Sequence, residues 1–412
     1  MKKVLFTLFT FIQCAVIPQL YAATESVTVN AAMRVSPISP YVLGTNSSAI
    51  YVTTPMYNSA MINQIKAAGI KMYRFPPGMA GNRYDFRYNN NRGRYQQSQN
   101  LPWVTAGVVS LEEEMRFCRN SINAEPLVLV NSAFRGPGGT GIDIGGTDVN
   151  GGAFLNYTVS DLGITTDTPQ NRAKYAAAMV TYLNNLSDQN GWPHPKYYEV
   201  GNEYEFDGQT FESYRDCFRE YYTAMKAVDP NIILLASLER RNDESIVAME
   251  DVYDIHSYYA GSLGNAVGIY EYAPGCMDGS FALKNHSQND VELVKNYFAA
   301  HLPGKEPLIA QSEWGDSVYS STQSVARGTL WGTYRGATYT SHMIYRFIKN
   351  KMPYSCAWYL WSLSETEGHM FGADPAYYPR PRYYSFMLYS YFTGTLLECY
   401  DTSEYTSAGT DY

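Results

Sequence analysis

Two stretches of the sequence bring a glutamate to the end of an apolar run: Tyr197-Tyr198-Glu199-Val200-Gly201-Asn202-Glu203 and Pro307-Leu308-Ile309-Ala310-Gln311-Ser312-Glu313-Trp314. Hydrolysis of a glycosidic bond needs two carboxyl groups, one holding a proton for the leaving oxygen and one ionised at the anomeric carbon. Glu203 and Glu313 are candidates for that pair, and retention of configuration would require a carboxyl separation of roughly 5 to 5.5 Å. They stand 313 minus 203, or 110, positions apart, so a fold that closes on itself has to bring them together. An Asn-Glu dipeptide alone carries little weight; its place at a strand end makes it specific. Each acid also has a plainer account. Glu203, followed by Glu205 and Asp207, suits a solvated helix start, and Glu313 suits a surface acid paired with a residue such as Arg327.

The elements that must position these acids follow one repeated unit from about residue 41: a short apolar run, a polar loop, then a segment of helical periodicity. The pattern predicts strands at Val42–Asn46, Met72–Phe75, Pro126–Asn131, Tyr197–Gly201, Ile232–Ser237, Val252–His256, Pro307–Gln311 and Cys356–Trp361. Helices are predicted at Ser59–Ala68, Leu111–Ser121, Asn171–Leu186, Thr210–Val228, Asp290–His301 and Ser324–Lys349. Eight strand-helix units match a (β/α)8 TIM barrel, an α/β fold that carries its active residues at the C-terminal strand ends. A doubly wound open sheet is the alternative, and it would need a phosphate loop at a switch point. Gly136-Pro137-Gly138-Gly139-Thr140-Gly141 matches G-x-G-x-x-G after Leu127–Val130. No helix opens after these glycines, so the segment reads as a long loop. Asp143 and Asp148 in that loop suit a calcium ion less well than solvent.

The composition is that of a folded chain: 412 residues, 45% hydrophobic, 31 basic against 39 acidic side chains and 15% aromatic. The charge gives no reason to bind nucleic acid or an anionic membrane, and aromatic faces suit sugar rings as well as cores. Lys2 and Lys3 precede an apolar run, Val4–Ile17, and Leu20-Tyr21-Ala22-Ala23 supplies small residues for cleavage. Residues 1–23 are therefore expected to be a signal peptide, too short for a membrane span, and the protein to be secreted or periplasmic. Cys14 would leave with it, its context lacking the small residues of a lipid attachment site. Removal leaves 29 basic against 39 acidic groups, a charge of −10. It also leaves Cys118, Cys217, Cys276, Cys356 and Cys399, an odd number with no metal-ligand spacing. No metal and no cofactor are expected.

With these residues in place, the sequence from about 37 to 395 resembles the clan A glycoside hydrolases, retaining (β/α)8 enzymes. The arabinofuranosidase, β-xylosidase and heparanase-like branches are nearest in style. The resemblance implies that Glu203 is the acid/base, Asn202 the partner of the sugar 2-hydroxyl, and Glu313 the nucleophile. Tyr73-Arg74-Phe75-Pro76-Pro77-Gly78 resembles the second-strand motif whose Arg supports the nucleophile, although Pro-Gly-Gly is more usual there. Asp254-Ile255-His256-Ser257-Tyr258 resembles the sixth-strand His-x-Tyr, and Trp361 the eighth-strand Trp under the scissile sugar. Physically, Arg74 beside Glu313 would keep that carboxylate charged while Glu203 holds its proton. Tyr258 would donate to the nucleophile oxygen, and His256 would line the same subsite.

Each supporting residue has a structural alternative: Arg74 as a barrel brace, His256 as a satisfied core residue. Trp358 competes with Trp361, because three positions of separation send the two to opposite faces. Asn82, Tyr84, Asn131 and Trp314 are further binding candidates. Glu365 and Glu367 form a rival acid pair in a polar loop. In the related branches a β-sandwich usually follows the barrel, whereas here residues 24–36 and 396–412 are expected to be the remnant of such a domain, either a minimal accessory sheet or part of a truncated sequence. The expected activity is retaining hydrolysis of a polysaccharide or oligosaccharide. A non-catalytic carbohydrate-binding protein on the same scaffold is the alternative, and a metal hydrolase is disfavoured by only six His without a helical pair.

Overall fold

A computed structural model describes residues 27–49, 54–88, 109–136, 139–142, 144, 156–237, 243–258, 291–315, 334–361, 370–371 and 378–401. Its strands in chain order are β1 (Val27–Pro37), β2 (Gly44–Asn46), β3 (Met72–Phe75), β4 (Glu125–Val130), β5 (Arg135–Gly136), β6 (Gly139–Thr140), β7 (Tyr197–Val200), β8 (Ile233–Ala236), β9 (Val252–Tyr258), β10 (Ile309–Gly315), β11 (Ser355–Ala357) and β12 (Thr395–Asp401). Eight of these, β2, β3, β4, β7, β8, β9, β10 and β11, run parallel in that cyclic order and close into a barrel. The chain is a (β/α)8 barrel, and all eight predicted strands are present. The open-sheet alternative is excluded by the β9–β10 pairing that completes the ring.

The helices form where caps and periodicity meet. Ser110 and Glu113 close a capping box on Leu111–Arg116, and Thr168 caps Pro169–Asn190, which carries Pro at its first position. Phe211–Val228 buries Tyr214, Cys217, Phe218, Tyr221 and Met225, an i, i+3, i+4 stripe, under Thr210 as cap. The G-x-G-x-x-G match is split between β5 and β6, which pair antiparallel as a short hairpin, so it opens no helix. Asp143, Asp148, Glu365 and Glu367 lie outside the described residues, as do residues 1–23.

The strand period of two fixes the layers inside the barrel. Met72, Leu127, Tyr197, Leu235, Val252, Ala310 and Cys356 make one buried apolar cluster. Two positions further along their strands stand Arg74, Leu129, Glu199, Ser237, Asp254 and Ser312, all buried. An apolar plug thus supports a mostly polar floor at the C-terminal ends of the strands. Cys118, Cys217 and Cys356 are buried and free of disulfides.

β1 and β12 form a second unit, an antiparallel pair with Val27 opposite Asp401 and Pro37 opposite Thr395. Among the described residues no helix is long and apolar enough to cross a membrane.

Candidate active site

Arg74 projects from β3 and is wholly buried. Its Nε and Nη2 donate to the two carboxylate oxygens of Glu199 on β7, at 2.6 and 2.8 Å. Nη1 donates to Glu313 Oε2 at 3.0 Å and to Asn46 Oδ1 at 2.6 Å, while Nη2 also reaches Asn202 Oδ1 at 2.7 Å. Burying a guanidinium is costly unless its donors are satisfied by charge-assisted bonds of good geometry. Burial opposes the charge on Arg74, yet Glu199, then Glu313 and Asp254, outweigh it and hold the group protonated. The same pairing acts on Glu199: burial would raise its carboxyl, and Arg74 instead holds it below the usual carboxylate range.

Glu313 lies in β10 with a side chain 8% exposed. Glu203 follows β7 through two residues of left-handed backbone, Gly201 at φ 74° and Glu203 itself at φ 39°. At Gly201 the glycine is required twice over, since a Cβ would also stand 2.4 Å from Ser132 Oγ. The backbone N–H of Glu203 donates to Ser237 Oγ at 2.7 Å. Tyr214 fastens that corner, its hydroxyl donating to Val200 O and accepting from Ser237 N. The Glu203 side chain remains 18% exposed.

His256 on β9 joins the two acids. Its Nδ1 is 3.2 Å from Glu203 Oε1 and 3.9 Å from Glu313 Oε2. Ligand atoms of Glu203, His256 and Glu313 all lie within 4.8 Å of one another, so one oxygen of each glutamate faces the other across the barrel mouth. Glu199, Asp254 and His256 form a second group within the same limit. Of these acids, Glu199 and Glu313 already accept from Arg74, Asp254 accepts from Ser312, and Glu203 contacts His256. Burial pushes the Asp254 carboxyl up.

The other predicted binding residues divide by burial. Asn202 is fixed by Arg74 and by Asn82, whose Oδ1 accepts the Asn202 N–H at 2.9 Å and whose amide donates to Asn202 O. The Asn202 amide nitrogen engages no described residue, whereas Asn82 is fully buried and spends its amide on Asn202. Asn131 donates to Tyr84 O and accepts from Phe134 N, a loop brace rather than a ligand contact. The Tyr84 hydroxyl accepts from Leu111 N, and the ring is buried. Trp314 is wholly buried, stacked on Phe386 with Arg382 over its ring, and so faces away from the mouth. The backbone of Tyr258 pairs with Gly315; its side chain lies outside the described residues.

The expectation for Trp361 is corrected. β11 ends at Ala357, and Trp361 is completely buried, edge-on to Phe117, with its backbone N–H donating to Ser48 Oγ. Trp358, only partly buried, lies against Gly78: a Cβ there would be 2.7 Å from its ring and 3.8 Å from Glu313 Oε2. Gly78, at φ 51°, is the second position where only glycine fits. The ring beside Glu313 is therefore Trp358.

Sequence reasoning gave no role to Asn46, Glu199, Asp254 or Ser312. The signal for three of them was available: Glu199, Asp254 and Ser312 each sit two residues beyond a residue of the apolar plug and so face inward. Asn46, two beyond Gly44, is bonded to Arg74 and donates to Ser312 O at 3.1 Å.

A closed parallel barrel with two acids facing each other at its C-terminal mouth defines a class of protein, the glycoside hydrolases. The chain belongs to the α-L-arabinofuranosidase 1 domain family, whose model matches residues 64–273, and it is a glycoside hydrolase. Solved structures with the same fold include AbfB, a family 51 α-L-arabinofuranosidase from Bifidobacterium longum (14% identity, TM-score 0.61, 91% of this chain and 80% of that one). The α-L-arabinofuranosidase from Thermotoga maritima in complex with arabinose matches at 16% identity and TM-score 0.59, over 92% and 76% of the chains. CelM2, a bifunctional glucanase-xylanase from a metagenome library, matches at 16% identity and TM-score 0.55, over 92% and 82%. No curated protein sequence matches.

Proposed function

We propose that the enzyme is exported and hydrolyses α-L-arabinofuranosyl linkages of a polysaccharide or oligosaccharide with retention, Glu203 serving as acid/base and Glu313 as nucleophile. The observation that carries this reading is the approach of the two carboxylates, with oxygens within 4.8 Å of one another. Retaining enzymes keep their carboxyl groups roughly 5 to 5.5 Å apart, whereas inverting enzymes leave roughly 6.5 to 9.5 Å for a water. The family supports the arabinofuranosyl substrate, and the lysine-led apolar segment at residues 2–17 supports export.

The surroundings suit the roles. Glu313 is bonded to a permanent cation, Arg74, which favours the ionised form needed to attack the anomeric carbon. Glu203 is the more exposed of the two and touches His256. In the first step the Glu203 proton passes to the leaving oxygen as Glu313 Oε bonds to the anomeric carbon. In the second, Glu203 takes a proton from water, whose oxygen displaces Glu313. The open amide of Asn202 can donate to the sugar 2-hydroxyl, and the Trp358 ring offers an apolar face to the sugar bound at Glu313.

Proton NMR of the first-formed sugar from a nitrophenyl α-L-arabinofuranoside tests the reading. Release of the α anomer is expected; release of the β anomer overturns double displacement, and turnover only of other glycosides overturns the substrate assignment. For export, N-terminal sequencing of mature protein should begin near residue 24, and an intact Met1 in the folded enzyme would contradict it.

A further inference from the structure

Behind Glu203 runs a buried chain of groups to which the two displacement steps assign nothing. His256 Nε2 is 2.8 Å from Ser312 Oγ, and Ser312 Oγ donates to Asp254 Oδ2 at 2.5 Å. Asp254 Oδ1 accepts the Ser312 backbone N–H at 2.8 Å. All three side chains are buried, Asp254 to 1% exposure. A serine hydroxyl has one proton and two lone pairs. With its proton committed to Asp254, Ser312 Oγ must accept from His256, which places the imidazole proton on Nε2. In the neutral imidazole Nδ1 then presents a lone pair to Glu203 Oε1, and that contact is a hydrogen bond only while Glu203 carries a proton.

Resting on the acid/base assignment above, we propose that Asp254, acting through Ser312 and His256, is a positioning residue that sets the proton affinity of Glu203. The relay has two polarities with the same proton count. In one, protons sit on Glu203, on His256 Nε2 and on Ser312, and Asp254 is ionised. In the other, the Glu203 proton has moved to Nδ1, the Nε2 proton to Ser312 Oγ and the Ser312 proton to Asp254 Oδ2, leaving Glu203 ionised. Asp254 and Glu203 thus share one proton. With Asp254 ionised, the relay loads Glu203 as an acid before cleavage and makes it the stronger base for the attacking water afterwards. Of the other charged groups facing this chain, Glu199 and Glu313 pair with Arg74 and also stand near the imidazole, Glu199 Oε1 3.8 Å from Nε2 and Glu313 Oε2 3.9 Å from Nδ1.

Asp254→Asn is a permanent copy of the second polarity. Its oxygen keeps the Ser312 N–H, its amide donates to Ser312 Oγ, Ser312 donates to Nε2, and Nδ1–H faces Glu203 and favours the carboxylate. The test is the pH profile of kcat/KM for the full-length enzyme on a dinitrophenyl arabinofuranoside, which needs little acid assistance, and on an unactivated arabino-oligosaccharide, which needs it. In Asp254→Asn the alkaline limb should move down by about one pH unit. Activity at neutral pH should fall at least about tenfold on the oligosaccharide, with the dinitrophenyl substrate changing less than about threefold. Ser312→Ala should shift the limb in the same direction, and Ser312→Thr, which keeps the hydroxyl, should restore it. If Asp254→Asn does not fold, as judged by its circular dichroism melt, the Ser312 pair decides. An unshifted limb, or an equal loss on both substrates, would overturn the relay. Failure of the underlying assignment has a different mark: Glu203→Ala would hydrolyse the oligosaccharide as fast as the parent.

Discussion

On one side of the barrel mouth Glu313 meets a guanidinium sealed from solvent and bonded to four side chains, Glu199, Asn46, Asn202 and Glu313 itself. On the other side Glu203 meets an imidazole, sits on left-handed backbone and keeps 18% of its side chain in contact with solvent. The cation on the first side cannot lose its charge, and the groups on the second can exchange protons. Two chemically identical carboxyl groups are thus divided by their neighbours into one suited to a constant charge and one suited to a changing one.

Breaking the two sides should therefore give different signatures. The largest effect is expected for Glu313→Ala, with kcat on every substrate lowered by more than about 10⁴-fold, because no covalent intermediate can form. Added azide should rescue it with the opposite anomer as product. Glu203→Ala should lower kcat/KM by about 10² to 10⁴-fold on unactivated glycosides and far less on dinitrophenyl ones. Equal losses in the two variants on both substrate types would erase the distinction.

Arg74→Met tests the fixed-charge side through stability. It leaves Glu199 buried without its cation, and removing one partner of such a pair costs about 3 to 5 kcal/mol. A thermal melt near that of the parent would show that Arg74 is dispensable to the floor.

A third prediction compares two buried glutamates by pH. Glu199, with its carboxyl held low by Arg74, contributes stability present above about pH 4.5 and lost as pH falls further. Glu114, behind the barrel wall, meets no cation among the described residues. It accepts from Ser47 and Tyr73, and burial pushes its carboxyl up to about 7. Its folded form binds the proton more tightly, so the stability it contributes is present below about pH 4.5 and lost as pH rises to about 7, up to about 3 kcal/mol. Chemical denaturation of Glu114→Gln should lack this decline, and the same slope in variant and parent would contradict the assignment.

The smallest effect separates the tryptophans. Trp358→Ala should lower kcat/KM roughly tenfold, about 1.4 kcal/mol, by removing the aromatic face beside Glu313. Trp361→Phe should lower the melting temperature and leave the kinetics almost unchanged. The reverse pattern would restore Trp361 to the mouth.

The sequence by itself determined the barrel, because each strand carries its own apolar run and helices such as Leu111–Arg116, Pro169–Asn190 and Phe211–Val228 carry their own caps, and these are local signals. Eight of them in alternation match a closed barrel, the strand ends then mark Glu203 and Glu313, and the resemblance to the clan A glycoside hydrolases adds Arg74 and His256. What lay across the ring was decided only by the tertiary structure. Whether Arg74 met one acid or two, and which tryptophan turned toward the mouth, depended on register between strands far apart in the chain. Period two says which residues face inward, but only closure of the barrel says which of them touch. Glu199, Asp254 and Ser312 read as ordinary strand residues for that reason: their chemistry lies in partners contributed by other strands.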